Sequence, residues 1–209
     1  MTAAEIIAKF ELYVDDTTEL STAEELALLN KIYQKVCDDR PWEFLKKEAS
    51  GTMATTTTIT VPSDFGYFTI NQNYTDTSQA ASANARQVGI LINGTKWLQL
   101  VNWSDRRQYA NQDGYAYYDA ANNTITTTYA QPSGATYSLD YKAVPSALII
   151  SSTPVFPARF HDILVHGMAV DDMIIQLFGK ARSYAPENQA MYTSYLAQMA
   201  MWNANLQMM

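Results

Sequence analysis

The sequence predicts an α+β protein in which a helical bundle drawn from both chain ends carries an inserted antiparallel β-meander. Three observations lead there. Apolar residues recur at helical spacing, with cap signals, before residue 49 and again after residue 149. The stretch between them loses charge and fills with Thr, Tyr, Asn and Gly, and it contains an Asn-Gly turn flanked by apolar runs. The 209 residues are 47% hydrophobic, enough for a real core. The expected division is 1–49 with 149–209 as the helical domain and 50–148 as the β region.

The first element is a helix over 2–14, where Ile6, Phe10 and Tyr13 make one face and Asp15-Asp16-Thr17-Thr18 ends it. A second helix opens at Ser21-Thr22-Ala23-Glu24, a capping box in which Ser oxygen and Glu carboxylate satisfy each other's backbone amides. Leu26, Leu29, Tyr33 and Val36 form its stripe. Pro41 stops it, because the residue before a proline resists helical angles, and Trp42 and Phe44 then pack on the bundle.

In the middle, Thr55 to Val61 reads as a strand closed by Pro62-Ser63-Asp64. Asn93-Gly94 predicts a hairpin pairing 88–92 with 96–101, and Asn122-Asn123 a second one pairing 115–118 with 124–129. Pro132-Ser133-Gly134 turns the chain into a strand with Tyr137, Leu139 and Tyr141 on one face. Ser104 is placed as the cap of a short turn or helix, and 71–86 reads as a polar loop.

After Pro157 the helical period returns. Phe160, Ile163, Gly167, Val170, Ile174 and Leu177 predict one continuous stripe, with Gly179 as its C-cap. A glycine at 167, in mid-helix, costs about 1 kcal/mol relative to alanine, which is understandable where another helix crosses closely. Trp42, Phe44, Phe160, Ile163, Gly167, Val170 and Ile174 are therefore expected in one core. Pro186 opens the last helix, carrying Met191, Tyr195, Met199, Trp202 and Leu206.

Composition narrows function. The net charge of −7 gives no attraction to DNA phosphates, although a surface that DNA slides past tolerates such charge. Cys37 is the single cysteine, set among apolar residues, and reads as a buried hydrophobe. The two histidines, His161 and His166, are five apart and do not share a helix face as a metal pair would. His161 is expected at the start of its helix and His166 at the edge. No apolar run reaches the ~20 residues that span a bilayer, and the N-terminus shows no signal-peptide pattern. Neither a nucleophilic triad nor a phosphate loop is present as a pattern. No catalytic residue, metal or cofactor is expected. Arg106-Arg107 beside Trp103 and Tyr109 reads as a solvated turn or intersubunit contact before nucleic-acid stacking.

The order of short motifs carries a family likeness. Arg40-Pro41-Trp42 closes the early helices, and Pro62-Ser63-Asp64-Phe65 makes a corner after the first strand. Tyr141 to Leu148 runs a tyrosine strand into a proline and a leucine, Pro157 to Gly167 opens a Phe-His helix, and Lys180-Ala181-Arg182-Ser183-Tyr184 precedes Tyr192 and Tyr195. This order resembles the head-to-tail adaptor (head completion or connector ring) proteins of tailed bacteriophages. The resemblance implies a non-enzymatic virion protein, made in the host cytoplasm and placed at the head–tail interface. Its implied partners are the portal protein, a tail or nozzle protein and copies of itself in a ring, twelve-fold to match the portal. DNA would pass through without sequence-specific binding, and no membrane is involved. On that footing Met199, Trp202, Leu206, Met208 and Met209 are candidates for a portal or subunit interface, since the C-terminal helix spreads apolar side chains beyond one face. Asp15, Asp16, Glu19, Asp38 and Asp39 are candidates for an acidic channel lining. The alternative reading is a carbohydrate-binding or adhesin-like module using the Tyr/Trp/Asn-rich β region.

Overall fold

The computed structural model describes residues 1–14, 20–68, 89–182 and 184–207. The chain is mixed α+β and divides into two compact units, Met1–Leu45 with Pro145–Met209, and Lys46–Val144. The expected loop 71–86 and the helix-breaking run 15–18 lie outside the described residues.

The first unit is helical. α1 (Ala3–Val14) buries Ala3, Ile6, Ile7, Phe10 and Val14. Tyr13 is half-exposed at 39%, and Val14 takes the place expected of it. α2 (Thr22–Asp38) starts with the capping box: the Ser21 hydroxyl accepts from the Glu24 amide, and the Glu24 carboxylate accepts from the Ser21 amide at 2.8 Å. Its buried face is wider than one stripe, adding Leu28, Ile32 and Cys37 to Leu29, Tyr33 and Val36. The Asn30 side chain donates to Leu148 O at 3.0 Å and accepts from Leu148 N at 2.6 Å, fixing the returning chain on α2.

The long helix expected after Pro157 is two helices. A 3-10 turn, Ala158–Phe160, leads into α3 (Asp162–Ala169); Val170 leaves helical geometry at φ −100, ψ 5; α4 (Asp172–Arg182) follows. Asp171 is the reason. Its carboxylate accepts the Met173 amide at 3.2 Å and binds Lys31 at 2.7 Å, so it caps a new helix and does not continue the old one. Gly179 breaks helical geometry at φ 78 inside α4, and the helix resumes to Arg182. The single stripe is thereby cut: Val170 is only partly buried, and Leu177 is half-exposed. α5 (Ala185–Gln207) completes the unit.

Gly167 lies where α3 meets both neighbours. A Cβ there would sit 2.5 Å from Ile32 Cγ2 on α2 and 3.0 Å from Tyr192 Cε2 on α5. One apolar core joins α1 to α5, with Phe10, Leu29, Trp42, Phe156, Ile163, Leu164, Ile174 and Met199 among its buried members. Trp42 is fully buried, and its indole donates to Val36 O at 2.7 Å.

The second unit is an eight-stranded sheet among the described residues. Its strands are β1 (Lys46–Thr52), β2 (Thr58–Thr60), β3 (Phe65–Phe68), β4 (Gly89–Ile92), β5 (Lys96–Val101), β6 (Tyr115–Asp119), β7 (Thr124–Thr127) and β8 (Thr136–Ala143). Their order is β1-β8-β4-β5-β6-β7-β2, with β3 also on β8. Both predicted hairpins form. Asn93 and Gly94 take φ 50 and φ 67, and Asn123 takes φ 50. Leu139 and Tyr141 are buried on alternate positions of β8, flanking half-buried Asp140, and Ile90, Ile92, Leu98, Ile125 and Ile59 complete a core of this unit's own.

Four expectations for this unit need correction. The sheet is not an all-antiparallel meander: β5 and β6 pair in parallel, because residues 102–114 form a connection long enough to bring the chain back in the same direction. β8 lies between β1 and β4 instead of at the end of a meander. The strand expected over 55–61 shortens to β2, since Ala54 and Thr55 amides turn back onto Thr58 O. Ser104 sits inside the 3-10 turn Trp103–Asp105; the cap position is Asn102, with no side-chain cap bond.

Asp64 holds the corner after β2. Its carboxylate accepts from Lys47 Nζ on β1 at 2.6 Å and from Tyr141 OH on β8 at 2.8 Å. These hydrogen bonds, Lys47 first, hold its carboxyl below the ordinary carboxylate value against the opposing effect of burial. A depressed folded pKa stabilises the folded form above the unfolded pKa of ~4, and that contribution disappears as pH falls through the lower folded value. Urea denaturation should therefore show Asp64→Asn destabilising the sheet more at pH 7 than at pH 3. An equal loss at both values would show that the corner does not depend on the charge.

Candidate functional site

Each histidine is occupied by its own unit. His161 is buried; its Nε2 donates to Phe156 O at 2.9 Å, and Nδ1 then accepts from the Met1 amine at 2.9 Å. Burial, ahead of the other influences, pushes its pKa below the ordinary imidazole value. His166, expected at an edge, is 5% exposed, because α3 is wrapped by α1 and α5. Its Nδ1 donates to Asn188 Oδ1 at 2.7 Å, and Tyr195 stacks on it at 5.7 Å. Cys37 is buried, and burial pushes its thiol up to about 12, so it stays protonated at neutral pH. A protonated, enclosed thiol is a poor nucleophile.

The remaining surface features are those of contact. In the helical unit, a groove of about 990 Å³ runs between the second half of α1 and the start of α5. Leu12, Tyr13, Tyr184 and Met191 line it, with His166 and Asn188 also in its wall. Lys9 reaches it too, but its ammonium is held by Asp162 at 2.7 Å, a hydrogen bond that raises the Lys9 pKa. Glu187 lies on the same groove. Sequence reading missed this feature. The signal was Leu12, which stands off the Ile6–Phe10–Val14 face and is 83% exposed.

The predicted interface residues separate. Met199 has no exposed surface, so it belongs to the core and has none to offer a partner. Trp202 packs inward, 5.7 Å from Phe160 and 6.3 Å from Phe44, with the Arg159 guanidinium 5.3 Å from its ring. Asn203 is also engaged, accepting the Glu43 amide at 2.6 Å. Leu206 is 38% exposed and Met201 69% exposed. Met208 and Met209 lie outside the described residues. So do Asp15, Asp16 and Glu19 of the acidic set. Asp38 and Asp39 are exposed at the end of α2, the first accepting from Gln34 and the second paired with Arg40 at 2.7 Å.

In the β unit, Phe65, Phe68, Tyr118 and Tyr141 stack mainly on one another, at 4.7 to 5.9 Å. Arg106 is not free for a nucleic acid: its guanidinium lies 3.8 Å from the Trp103 ring centre and donates to Trp103 O at 2.6 Å.

The histidines and the thiol serve the chain's own packing, and the groove between α1 and α5 is mainly apolar, which suits contact with another protein. Compared with models of known families, residues 1–208 match the SU10 adaptor protein. The chain belongs to this family of phage head–tail adaptors. The match takes in both units of the chain. It is a structural protein family of the virion's head–tail region. A comparison with curated proteins found no match. No described helix of the adaptor is long and apolar enough to cross a membrane.

Proposed function

We propose that the adaptor is a non-enzymatic ring joining the portal protein to a tail or nozzle protein, through which DNA passes without sequence-specific binding. The match of residues 1–208 to a head–tail adaptor family carries this reading. The organisation we assign is a helical bundle from both chain ends bearing an inserted β region, with joints near Lys46 and Val144. Copies would meet through two different faces in a cyclic array, twelve-fold to match the portal. The charge of −7 supports an acidic lumen, in which Asp38 and Asp39, with Asp15, Asp16 and Glu19, repel the phosphate backbone. The exposed side chains Met201 and Leu206 support portal docking by the end of α5, together with Met208 and Met209.

Co-expression with the portal protein tests this reading by negative-stain imaging. Rings seated on the portal are expected, with carboxylates lining the channel in an assembled map. A lumen lined mainly by Lys and Arg would remove the acidic-channel part, and absence of any ring or portal complex would overturn the function. Deletion of residues 205–209 keeps Trp202 and Asn203, so the truncated chain should keep its circular dichroism spectrum and lose portal binding. Full binding by the truncated chain would show that the tail is no anchor.

A further inference from the structure

Two features of the adaptor remain unused by its own packing, and they are complementary. The groove between α1 and α5 has apolar walls open to water: Leu12 is 83% exposed, Tyr184 56% and Met191 42%. The cation beside it, Lys9, is already neutralised by Asp162, whereas Glu187 is exposed and has no partner among the described residues. An occupant must therefore bring an apolar body and a positive charge.

The turn after β5 carries both. Trp103 is 46% exposed and is held by Tyr117 edge-on at 5.4 Å and by the stacked Arg106. Arg106 is used in holding it. Arg107, next in the chain, is exposed and has no partner among the described residues. A tryptophan fixed in advance loses little freedom on docking, and Trp and Arg are among the residue types enriched at the energetic centres of interfaces.

We propose that the groove beside Glu187 receives the Trp103–Arg107 turn of a second copy of this chain, with Trp103 against Leu12, Tyr184 and Met191 and Arg107 paired to Glu187. This rests on the ring reading above and names its subunit contact. Charge complementarity selects the occupant: on a chain with 21 acidic and 14 basic residues, an unpaired arginine beside an exposed tryptophan matches an unpaired glutamate beside an apolar groove. Groove and turn are different patches, so the contact is heterologous and repeats head to tail.

The test is a charge exchange in the full chain, made at two exposed positions so that folding is preserved. Glu187→Arg and Arg107→Glu should each weaken self-association by roughly tenfold or more, because each places like charges together. The double variant should restore it. Sedimentation of the free chain and imaging on the portal both read the result. A bismaleimide cross-linker provides a second measurement, because Cys37 is buried and does not compete. A mixture of Glu187→Cys and Arg107→Cys chains should give dimers, and either alone none. Rings that persist in both single variants, or no rescue by the double, would overturn this contact and leave the ring reading standing. Loss of portal binding with self-association unchanged would assign the groove to the portal and overturn it as well. A wild-type chain that forms no ring, free or on the portal, together with a cysteine mixture that gives no dimers, would overturn both.

Discussion

Gly167→Leu is expected to disrupt the packing of the helical unit. A Cβ at this position would already approach Ile32 Cγ2 to 2.5 Å and Tyr192 Cε2 to 3.0 Å, and a leucine adds three more carbons into the same crossing. Overpacking a filled core costs about 1–3 kcal/mol, and more where backbones must part. Here α2 and α5 press on α3 at the same residue, so neither can yield without disturbing the other. The loss should be about 3 kcal/mol or more, out of a total stability of 5–15 typical of domains. Gly167→Ala separates the two contributions. It gains about 1 kcal/mol of helix propensity and loses about 1–3 to the clash, so its net cost should be about 0–2. Ile32→Ala removes the closest methyl and should make Gly167→Ala nearly harmless, a non-additivity that urea melts followed by circular dichroism would detect. A Gly167→Leu chain with an unchanged melting temperature would show that the crossing is not close.

That glycine was legible in the sequence because its cost is anomalous: a mid-helix glycine on an apolar stripe has few explanations besides a close neighbour. The capping box at Ser21 and the Asn-Gly turn were legible for the same reason, since each joins a particular residue pair to one backbone geometry. What the sequence concealed was of a different kind. β1 has no apolar alternation because it is an edge strand, paired to β8 on one side and exposed along nearly its whole length. The break at Val170 was hidden by the stripe running through it, although Asp171-Asp172 is a legitimate helix start. The parallel β5–β6 pair depends on the course of a thirteen-residue connection (102–114), which carries no periodic signal.

The candidate contact residues were less legible than the fold. Met199, Trp202 and Leu206 recur at near-helical spacing on α5, yet Met199 and Trp202 turn inward and Leu206 is partly exposed. Spacing identifies a face but does not say which partner covers it. On α5 the covering partners for Trp202 are Phe44 and Phe160, which come from distant parts of the chain. The groove was concealed for the converse reason. Its walls come from α1 and α5, so Leu12 and Glu187 gain meaning only once the two helices lie side by side.

Trp42→Ala should be the most damaging truncation in the same core. The indole is fully buried, stacks on Phe44 at 5.5 Å and donates to Val36 O at 2.7 Å. Val36 is in the last turn of α2, so this bond satisfies a carbonyl at the end of a helix where intrahelical donors run out. Removal of a buried Trp costs about 3–5 kcal/mol in lost burial and cavity formation. The carbonyl left without the indole adds about 1–3 kcal/mol if it stays dry. Phe44 links Trp42 onward to Phe156 and Trp202, so the cavity should loosen the C-terminal helix as well. Trp42→Phe keeps most of the ring volume and loses the hydrogen bond, and should cost about 1–3 kcal/mol beyond the small change in size. The order expected in urea denaturation is wild type, then Trp42→Phe, then Trp42→Ala, with the alanine variant losing α-helical signal first. Equal midpoints for the Phe and Ala variants would mean that the indole hydrogen bond, and not the packing, sets the stability at this position.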